Sequence, residues 1–578
     1  MQWLARHRRF ALALICIFWT GLIFLGRAFP TVPFLFAPWS GEQNFEDILR
    51  REGRKTPERK DFVFVGIDQA SLLLSQEKDR VVGADEIVGN RAFELMAERP
   101  FPWSREIWAV FLDKVFAAGA RLVMFDMMFN SPNNGDGTFH AALEKYRDRV
   151  VVGANFDVAQ ANQLVLPNTD LIPAPQQQDD RVGYVNFWPD LNDGRVREAR
   201  FRFSEGQWAG HDPLPGEETF TSLSARAVAK LGHADDVPHD LRMHAIRFGP
   251  AGAYEPIELW KIFFPRTWQA NFGEGAFFKD KVIIVGGSAQ IWHDVVDTPL
   301  GPGTYGPALH LHAIAAVLAH QYITSTSLRV AYILVAAAGL AAWGLTSFVR
   351  RPVLSLLGII GIGLVYVGVA RLFYDTQGFL LLTVPVLSAF LLSGICALGF
   401  DFALERLEKL RTRRTLERYV SRNLVKEILD NPDSYYHSLL GVRVPATMLF
   451  SDLIGFTTLA EKADPEELVR QLNEYLTKMT SVVFENGGTL DKFIGDAIMA
   501  VWGNVRSLGV AEDAKSAVRT AYGMRLSLQK LNDGWRAEGR MGLGMGVGVH
   551  QVEVIVGNIG SQERMDPTVI GDAVNLAS

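Results

Sequence analysis

Four apolar runs constrain this chain more than any other feature. The first follows a basic cluster, Arg6, His7, Arg8 and Arg9, and extends from Phe10 to about Phe29. The others cover about 329–349, 353–374 and 378–400. A helix needs about 20 apolar residues to cross a bilayer, and each run is of that order. Basic residues then set the sides. Arg6–Arg9 precede the first run, Arg350 and Arg351 separate the second from the third, and a strongly basic stretch follows the fourth. With four spans all three sites fall on one side, which is the cytoplasmic one. The loop between the third and fourth runs carries Arg371 and Asp375 and is nearly neutral. The expected order is a cytoplasmic tail (1–9), a first span (10–29), an extracytoplasmic domain (30–328), three spans (329–349, 353–374, 378–400), a linker (401–440) and a cytoplasmic domain (441–578). The first run begins like a signal peptide. No small-x-small site follows cleanly, so it reads as an uncleaved anchor in a bacterial-type inner membrane.

Composition enters only to exclude. A net charge of −6 argues against a nucleic-acid partner. The two cysteines, Cys16 and Cys396, both lie in apolar runs, so neither a disulfide framework nor a zinc site can be built from them.

The 30–328 segment reads as α/β. DFVFVGID (Asp61–Asp68), RLVMFDMMF (Arg121–Phe129), RVVVGANF (Arg149–Phe156) and KVIIVGGSA (Lys281–Ala289) are buried-type strands. Ser104–Gly119 has helical apolar spacing, and His310–His320 reads as a helix. Strands alternating with helices predict a mainly parallel sheet. Asp68 and Asp126 sit at strand ends, where α/β sheets take ligands, although a capping role is the commoner one. His310 and His312 are i, i+2 and do not share a helix face, which argues against a metal pair. NFWPD (Asn186–Asp190) reads as a packed corner.

Asp401–Asp430 is charged and helix-prone with partly heptad spacing, a short helical linker that can pair in a dimer, ended by Asn431-Pro432. From Arg443 the pattern is strand, helix, strand-hairpin-strand, helix, strand-hairpin-strand. The helices, about Pro465–Glu485 and Val510–Leu531, carry apolar residues at i, i+3, i+4. Two such helices over an antiparallel sheet predict a ferredoxin-like βαββαβ layer. In DKFIGDAIMAVWG (Asp491–Gly503) a Gly-Asp pair between two apolar segments reads as a tight hairpin with a carboxylate at its tip. MLFSDLIGFT (Met448–Thr457) is a buried strand ending in Asp452. Two strands that each bring one carboxylate to the same end of a sheet can make a hard-cation site, because magnesium takes one or two carboxylates plus substrate phosphates.

FSDLIGFTTLAE, DKFIGDAIMAVWG, VGNIGS and PTVIGDAVNLAS, in this order, resemble the class III nucleotide cyclases over roughly the last quarter of the chain. The resemblance implies that Asp452 and Asp496 hold two Mg2+ or Mn2+ ions, with the Leu453 carbonyl as a further ligand. Two such ions, roughly 3.5–4 Å apart, can lower the pKa of a ribose 3′-hydroxyl and hold a triphosphate for in-line attack. Phe456 and Thr457 fall in the substrate-binding part of the first motif. Lys492 matches the purine-selecting lysine, a donor to adenine N1, and so implies ATP. Thr568 matches the second selector, where many members have Asp; a Thr resembles a subgroup with some bicarbonate-responsive members. Asn575 matches the catalytic asparagine that orients the ribose. The family's site is shared in a homodimer, with the metal aspartates from one chain and Lys492, Thr568 and Asn575 from the other. Two departures stand out. Val552 occupies the place of a hairpin glycine before VGNIGS, which implies a reshaped turn. The family's transition-state arginine, with the rest of its helix and the closing strands, would come after Ser578.

RPFPWSREIWAVFLDKVFAAGARLVMFDMMF, GYVNFWPDLNDGRVREARF, and FKDKVIIVGGSA followed by DTPLGPGTYGPALHLHA resemble a type 2 CHASE extracellular sensor over most of 40–322. This implies a receptor with an unknown extracytoplasmic ligand. The expectation is a membrane adenylate cyclase; a guanylate cyclase and a non-catalytic receptor with a cyclase-like dimerisation module remain open.

Overall fold

The computed structural model describes residues 7–76, 88–157, 163–292, 294–349, 351–416, 441–461, 463–505, 507–560 and 565–577. The chain forms two units, Met1–Asp401 and Phe402–Ser578, and each is described by itself.

The first unit is built on a mainly parallel sheet. Its strands run in the order Ile257–Glu258, Phe62–Ile67, Val282–Gly287, Leu122–Met128, Val150–Asp157, with Val182–Tyr184 also pairing with the last. These pairings are parallel, and only the short edge strand Gln163–Val165 is antiparallel. The late strand Val282–Gly287 inserts between the first two long ones, an order that local pattern does not reveal. Both sheet faces are covered, which is why the strands are apolar at every position rather than at every second. Val63, Val65 and Ile67 enter one core; Phe62 and Phe64 enter the other. The first core includes helix Glu106–Ala117, and the second includes helix Gly306–Leu318. The latter starts four residues before His310 because Pro307 favours the first helical turn.

Among the described residues, four helices are long and apolar enough to cross a membrane: Arg8–Ala28, Leu328–Phe348, Pro352–Gln377 and the segment Val384–Arg411. They are apolar on their outer faces too, with Ile333, Leu357, Leu364 and Val365 exposed, as expected of spans rather than surface helices. The expected fourth span at 378–400 differs at both ends from the helix observed there. Gly378, at φ +66, ends the preceding helix in the left-handed conformation. Phe379–Leu380 then pairs with the strand Tyr322–Ser325, so the helix starts only at Val384. It continues without a break to Leu416, so the first part of the expected linker belongs to the same helix. The remainder of the linker, including Asn431-Pro432, lies outside the described residues.

Polar contacts tie the two ends of this bundle. At one end the Arg8 guanidinium pairs with Asp401 at 2.8 Å and donates to the Thr346 carbonyl at 3.0 Å. At the other end the Arg54 N–H donates to Asp375 at 2.7 Å. There the Glu42 carboxylate, on helix Pro33–Glu52, accepts the Thr383 and Val384 N–H groups at 2.9 and 2.6 Å. It thereby satisfies donors that the start of the Val384 helix would leave open. Burial, partly offset by these two bonds, pushes the Glu42 carboxyl up to about 7.

The second unit is a five-stranded antiparallel sheet in the order Thr489–Ile494, Ala497–Trp502, Val442–Ile454, Gly544–Gly560, Met565–Ile570. Helices Pro465–Glu485 and Val510–Ala537 cover one face, burying Leu449, Tyr475, Met479, Ile498, Trp502 and Met524 between them and the sheet. The first helix starts cleanly, with Pro465 in its first turn and Asp464 accepting the Glu466 and Glu467 N–H groups. This is the expected βαββαβ layer. The second helix runs to Ala537, beyond the expected Leu531.

The expected turn at Val552 does not exist. Gly544–Gly560 is one extended strand of 17 residues, and Val552 lies within it opposite Ala446. Valine suits that position, since β-branched residues favour extended backbone. The far half of this strand pairs antiparallel with Met565–Ile570.

Candidate active site

The central strand carries the first carboxylate. Strand residues alternate between faces, so Leu449 and Leu453 enter the helix-side core while Met448 and Phe450 enter the opposite one. Asp452 continues the second series and projects from the face away from the two long helices. The neighbouring strands form a hairpin with Ile494 opposite Ala497, so Gly495 and Asp496 make its two-residue turn. Gly495 has φ +67, a conformation that costs glycine little. The turn delivers Asp496 beside the end of the central strand, where its carboxylate accepts the Leu453 N–H at 3.2 Å. Partial burial and the adjacent charge of Asp496 hold the Asp452 carboxyl above its ordinary value. On the helix side, Tyr475 lies 3.5 Å from the Ser451 hydroxyl. Burial and the two nearby carboxylates push its phenol up to about 12.

The strand opposite Asp452 leaves room. In register, Ile454, Asp452 and Phe450 face Gly544, Gly546 and Gly548. A Cβ at Gly546 would meet nothing within 4 Å, whereas one at Gly548 would lie 2.3 Å from the Ala577 carbonyl oxygen. The middle glycine therefore borders open space next to the carboxylate, and the third permits the close approach of helix Asp572–Ala577.

A second polar group forms around Asp491. The Thr568 hydroxyl donates to its carboxylate at 2.8 Å, and the Lys492 ammonium lies 3.5 Å from the same oxygen. Thr568 and Asp491 belong to strands at opposite edges of the sheet. They meet because the outer strands fold back over the face away from the long helices: Val554, Val569 and Ala577 pack there on Met448, Phe450 and Met499. Two adjacent strand residues would ordinarily face opposite sides. Here a register shift between Leu490 and Lys492 makes Asp491 the extra residue of a bulge, so Lys492 falls opposite Met499 on the same face as Asp491, and both Lys492 and Thr568 contact the Asp491 carboxylate.

The structure therefore brings Asp452, Leu453 and Asp496 together, and links Lys492 and Thr568 through Asp491. Asn575 is exposed on helix Asp572–Ala577. Phe456 packs partly against the helix-side core, and Thr457 is exposed beside it. Asp491 was not among the expected site residues; its contact with Thr568, 77 positions away, has no local signal in the sequence.

In the first unit, Asp68 caps the helix Gln69–Leu73, accepting the Ala70 and Ser71 N–H groups. Asp126 is buried 3.7 Å from His310 Nε2, and burial together with Asp294 raises its carboxyl well above the ordinary range. His310 and His312 take different partners, Ser224 Oγ at 2.9 Å and the Gly249 N–H at 3.1 Å. Burial pushes them down to about 3 and about 4. Asn186 bonds the Phe156 backbone, and Trp188 packs 5.0 Å from Phe203, so NFWPD is a packed corner.

Comparison with known proteins adds family to geometry. The CHASE2 domain model matches residues 14–349, more than half of the chain, and the adenylate and guanylate cyclase catalytic domain model matches residues 443–578. An adenylate cyclase of Anabaena cylindrica is 40% identical over 136 residues, 23% of this chain and 26% of that protein. Adenylate cyclase 1 of Rhizobium meliloti is 32% identical over 164 residues, 28% of this chain and 24% of that protein. The chain thus spans about a quarter of the length of these relatives. Among solved structures, the adenylyl cyclase CyaB of P. aeruginosa is 40% identical, with a TM-score of 0.24, over 24% of this chain and 71% of that one. The guanylyl cyclase Cya2 is 43% identical, with a TM-score of 0.23, over 24% of this chain and 68% of that one. The chain belongs to the CHASE2 family and carries behind that domain a class III adenylate/guanylate cyclase catalytic domain.

Proposed function

We propose that this protein is a membrane receptor that converts ATP to 3′,5′-cyclic AMP and pyrophosphate. The observation that carries the reading is the pairing of two polar groups on one domain. Asp452 and Asp496 form a carboxylate pair at one strand end, and Lys492 and Thr568, each in contact with Asp491, form a separate polar group.

The carboxylate pair fits divalent cations. Its donors are hard oxygens, and Asp452 is held above its ordinary value partly by Asp496, a repulsion that a cation would relieve. Asp452, Asp496 and the Leu453 carbonyl would hold Mg2+ or Mn2+. Bound there, such ions supply Lewis acidity for the ribose 3′-hydroxyl and the triphosphate. Lys492 donates to adenine N1, and Thr568 accepts from the exocyclic amino group. Asn575 orients the ribose. In a homodimer one protomer supplies the carboxylates and its partner supplies Lys492, Thr568 and Asn575, giving two equivalent sites. Moving one protomer then separates metals from base reader, which makes dimer geometry the natural switch.

The end contacts support the membrane orientation. Arg8 and Asp401 sit at the basic, cytoplasmic end of the helices, and Glu42, Arg54 and Asp375 at the sensor end. Residues 30–328 then face outward and bind an extracytoplasmic ligand, while the cyclase domain is cytoplasmic.

The test is cyclic nucleotide formation from ATP and from GTP, with Mn2+ or Mg2+, in purified membranes. Product from ATP that is lost in Asp452→Ala supports the reading. Nucleotide binding without product from either substrate replaces it with the non-catalytic receptor.

A further inference from the structure

We infer that Asp491 determines base selectivity by fixing the direction in which the Thr568 hydroxyl points. The inference rests on the cyclase reading above and deepens it. A hydroxyl both donates and accepts, so Thr568 alone tells adenine from guanine poorly. Adenine presents an amino donor at position 6, and guanine presents a carbonyl acceptor there. A selective reader must have its hydrogen committed elsewhere.

Asp491 commits it. An ionised carboxylate only accepts, and here it accepts the Thr568 hydroxyl hydrogen at 2.8 Å. The remaining lone pairs of the Thr568 oxygen are left for a donor. The adenine amino group satisfies them; guanine O6 meets them with like polarity. The same carboxylate holds the Lys492 ammonium at 3.5 Å. One side chain thus orients both base-reading groups. Its own exposure is 2%, so solvent does not compete for these bonds. The bulge sets Lys492 opposite Met499, on the face that Asp491 takes after Leu490, and so keeps the ammonium beside the carboxylate that holds Thr568. Asp491 is a positioning residue in this scheme, acting on the base through Thr568 and Lys492.

The experiment compares kcat/KM for ATP and GTP in membranes carrying the parent protein, Asp491→Asn, Thr568→Val, Thr568→Ser and the double variant D491N/T568V. An amide at 491 can donate to the Thr568 oxygen and let the hydroxyl hydrogen turn toward guanine O6. Asp491→Asn is expected to lower the ATP-to-GTP ratio roughly tenfold. Thr568→Val lowers it as well, and adding Asp491→Asn changes that ratio by less than about twofold, because the hydroxyl is already gone. Thr568→Ser keeps the ratio. A ratio unchanged in Asp491→Asn, or fully additive effects in the double variant, overturns the inference. If the parent cyclises neither nucleotide, the cyclase reading fails, and the ratio is read instead from displacement of a fluorescent ATP analogue by ATP and GTP. A lowered binding ratio in Asp491→Asn then supports the orienting role; an unchanged ratio, or no binding, overturns it.

Discussion

Replacing Gly546 by valine separates stability from function. Gly546 is directly opposite Asp452 in the antiparallel pair, and directly opposed side chains share a face with Cβ atoms about 4.5–5.5 Å apart. A Cβ there meets nothing within 4 Å, so the branch carbon of the side chain adds no overpacking. Glycine inside a strand carries an entropic penalty of about 0.5–1 kcal/mol, and the strand preference of valine has a span of about 1 kcal/mol. The variant is therefore expected to gain up to about 1 kcal/mol, a rise of a few degrees in Tm for a unit of this size. Its isopropyl group, however, fills the space beside the carboxylate pair, and cyclase turnover should fall at least about a hundredfold. The neighbouring positions serve as controls. Gly548→Ala puts a Cβ 2.3 Å from a backbone oxygen of Ala577 and should cost about 1–3 kcal/mol as overpacking does. Gly544→Val approaches the Ile454 side chain at 3.3 Å, a contact that a small shift relieves. Thermal unfolding followed by tryptophan fluorescence, with cyclic AMP formation on the same samples, reads both quantities. Parent-level turnover in Gly546→Val would refute the assignment of this face to substrate. A Tm as low as that of Gly548→Ala would refute the reading of open space.

Asp496→Asn should lower turnover at least about a hundredfold while leaving the secondary structure seen by circular dichroism unchanged, since its turn rests on Gly495 rather than on the charge. Lys492→Glu combined with Thr568→Cys should shift the preference toward GTP, because the pair then accepts guanine N1–H; competition assays with both nucleotides check this. Glu42 gives a pH dependence of definite sign. Its folded value of about 7 is above the 4.5 of the free group, so the folded state binds the proton more tightly than the unfolded chain. The contribution, about 3 kcal/mol, is full below pH 4.5 and is lost as pH rises toward 7; Tm measured in detergent from pH 4.5 to 8 should fall across that window in the parent and flatten in Glu42→Gln.

Much of this arrangement is legible in the sequence, and the limits have physical causes. Helices such as Pro465–Glu485 are readable because one element's apolar spacing records one buried face. The hairpin at Asp496 is readable because a Gly-Asp pair between two apolar strands has few other conformations. Strand order is different in kind. Nothing local in VIIVGG states that it will lie between Phe62–Ile67 and Leu122–Met128, because that choice is made by packing across more than a hundred residues. The start of the fourth span was misread for a related reason. Hydropathy continues through Phe379 and Leu380, but their backbone pairs with a sensor strand, and only Gly378 marks the break.

The site shows the same division at smaller scale. Asp452 and Asp496 were legible because each ends a periodic apolar segment, and the end of a strand is where a polar side chain can reach a ligand. Val552 was misassigned by carrying a turn from a pattern rather than from the residues. VHQVEVIVG contains no turn-forming residue before Gly557, and its β-branched content fits the extended strand observed. Asp491 has no local signal for its place, because the contact with Thr568 spans 77 positions of the chain. A one-residue bulge leaves no compositional mark, yet it turns the Lys492 side chain to the face of Asp491 and leaves the carboxylate between a lysine and a threonine from the far edge of the sheet. Alternation therefore tells which residues line a sheet face only as long as register is continuous, and the break here is what sets Lys492 beside Asp491.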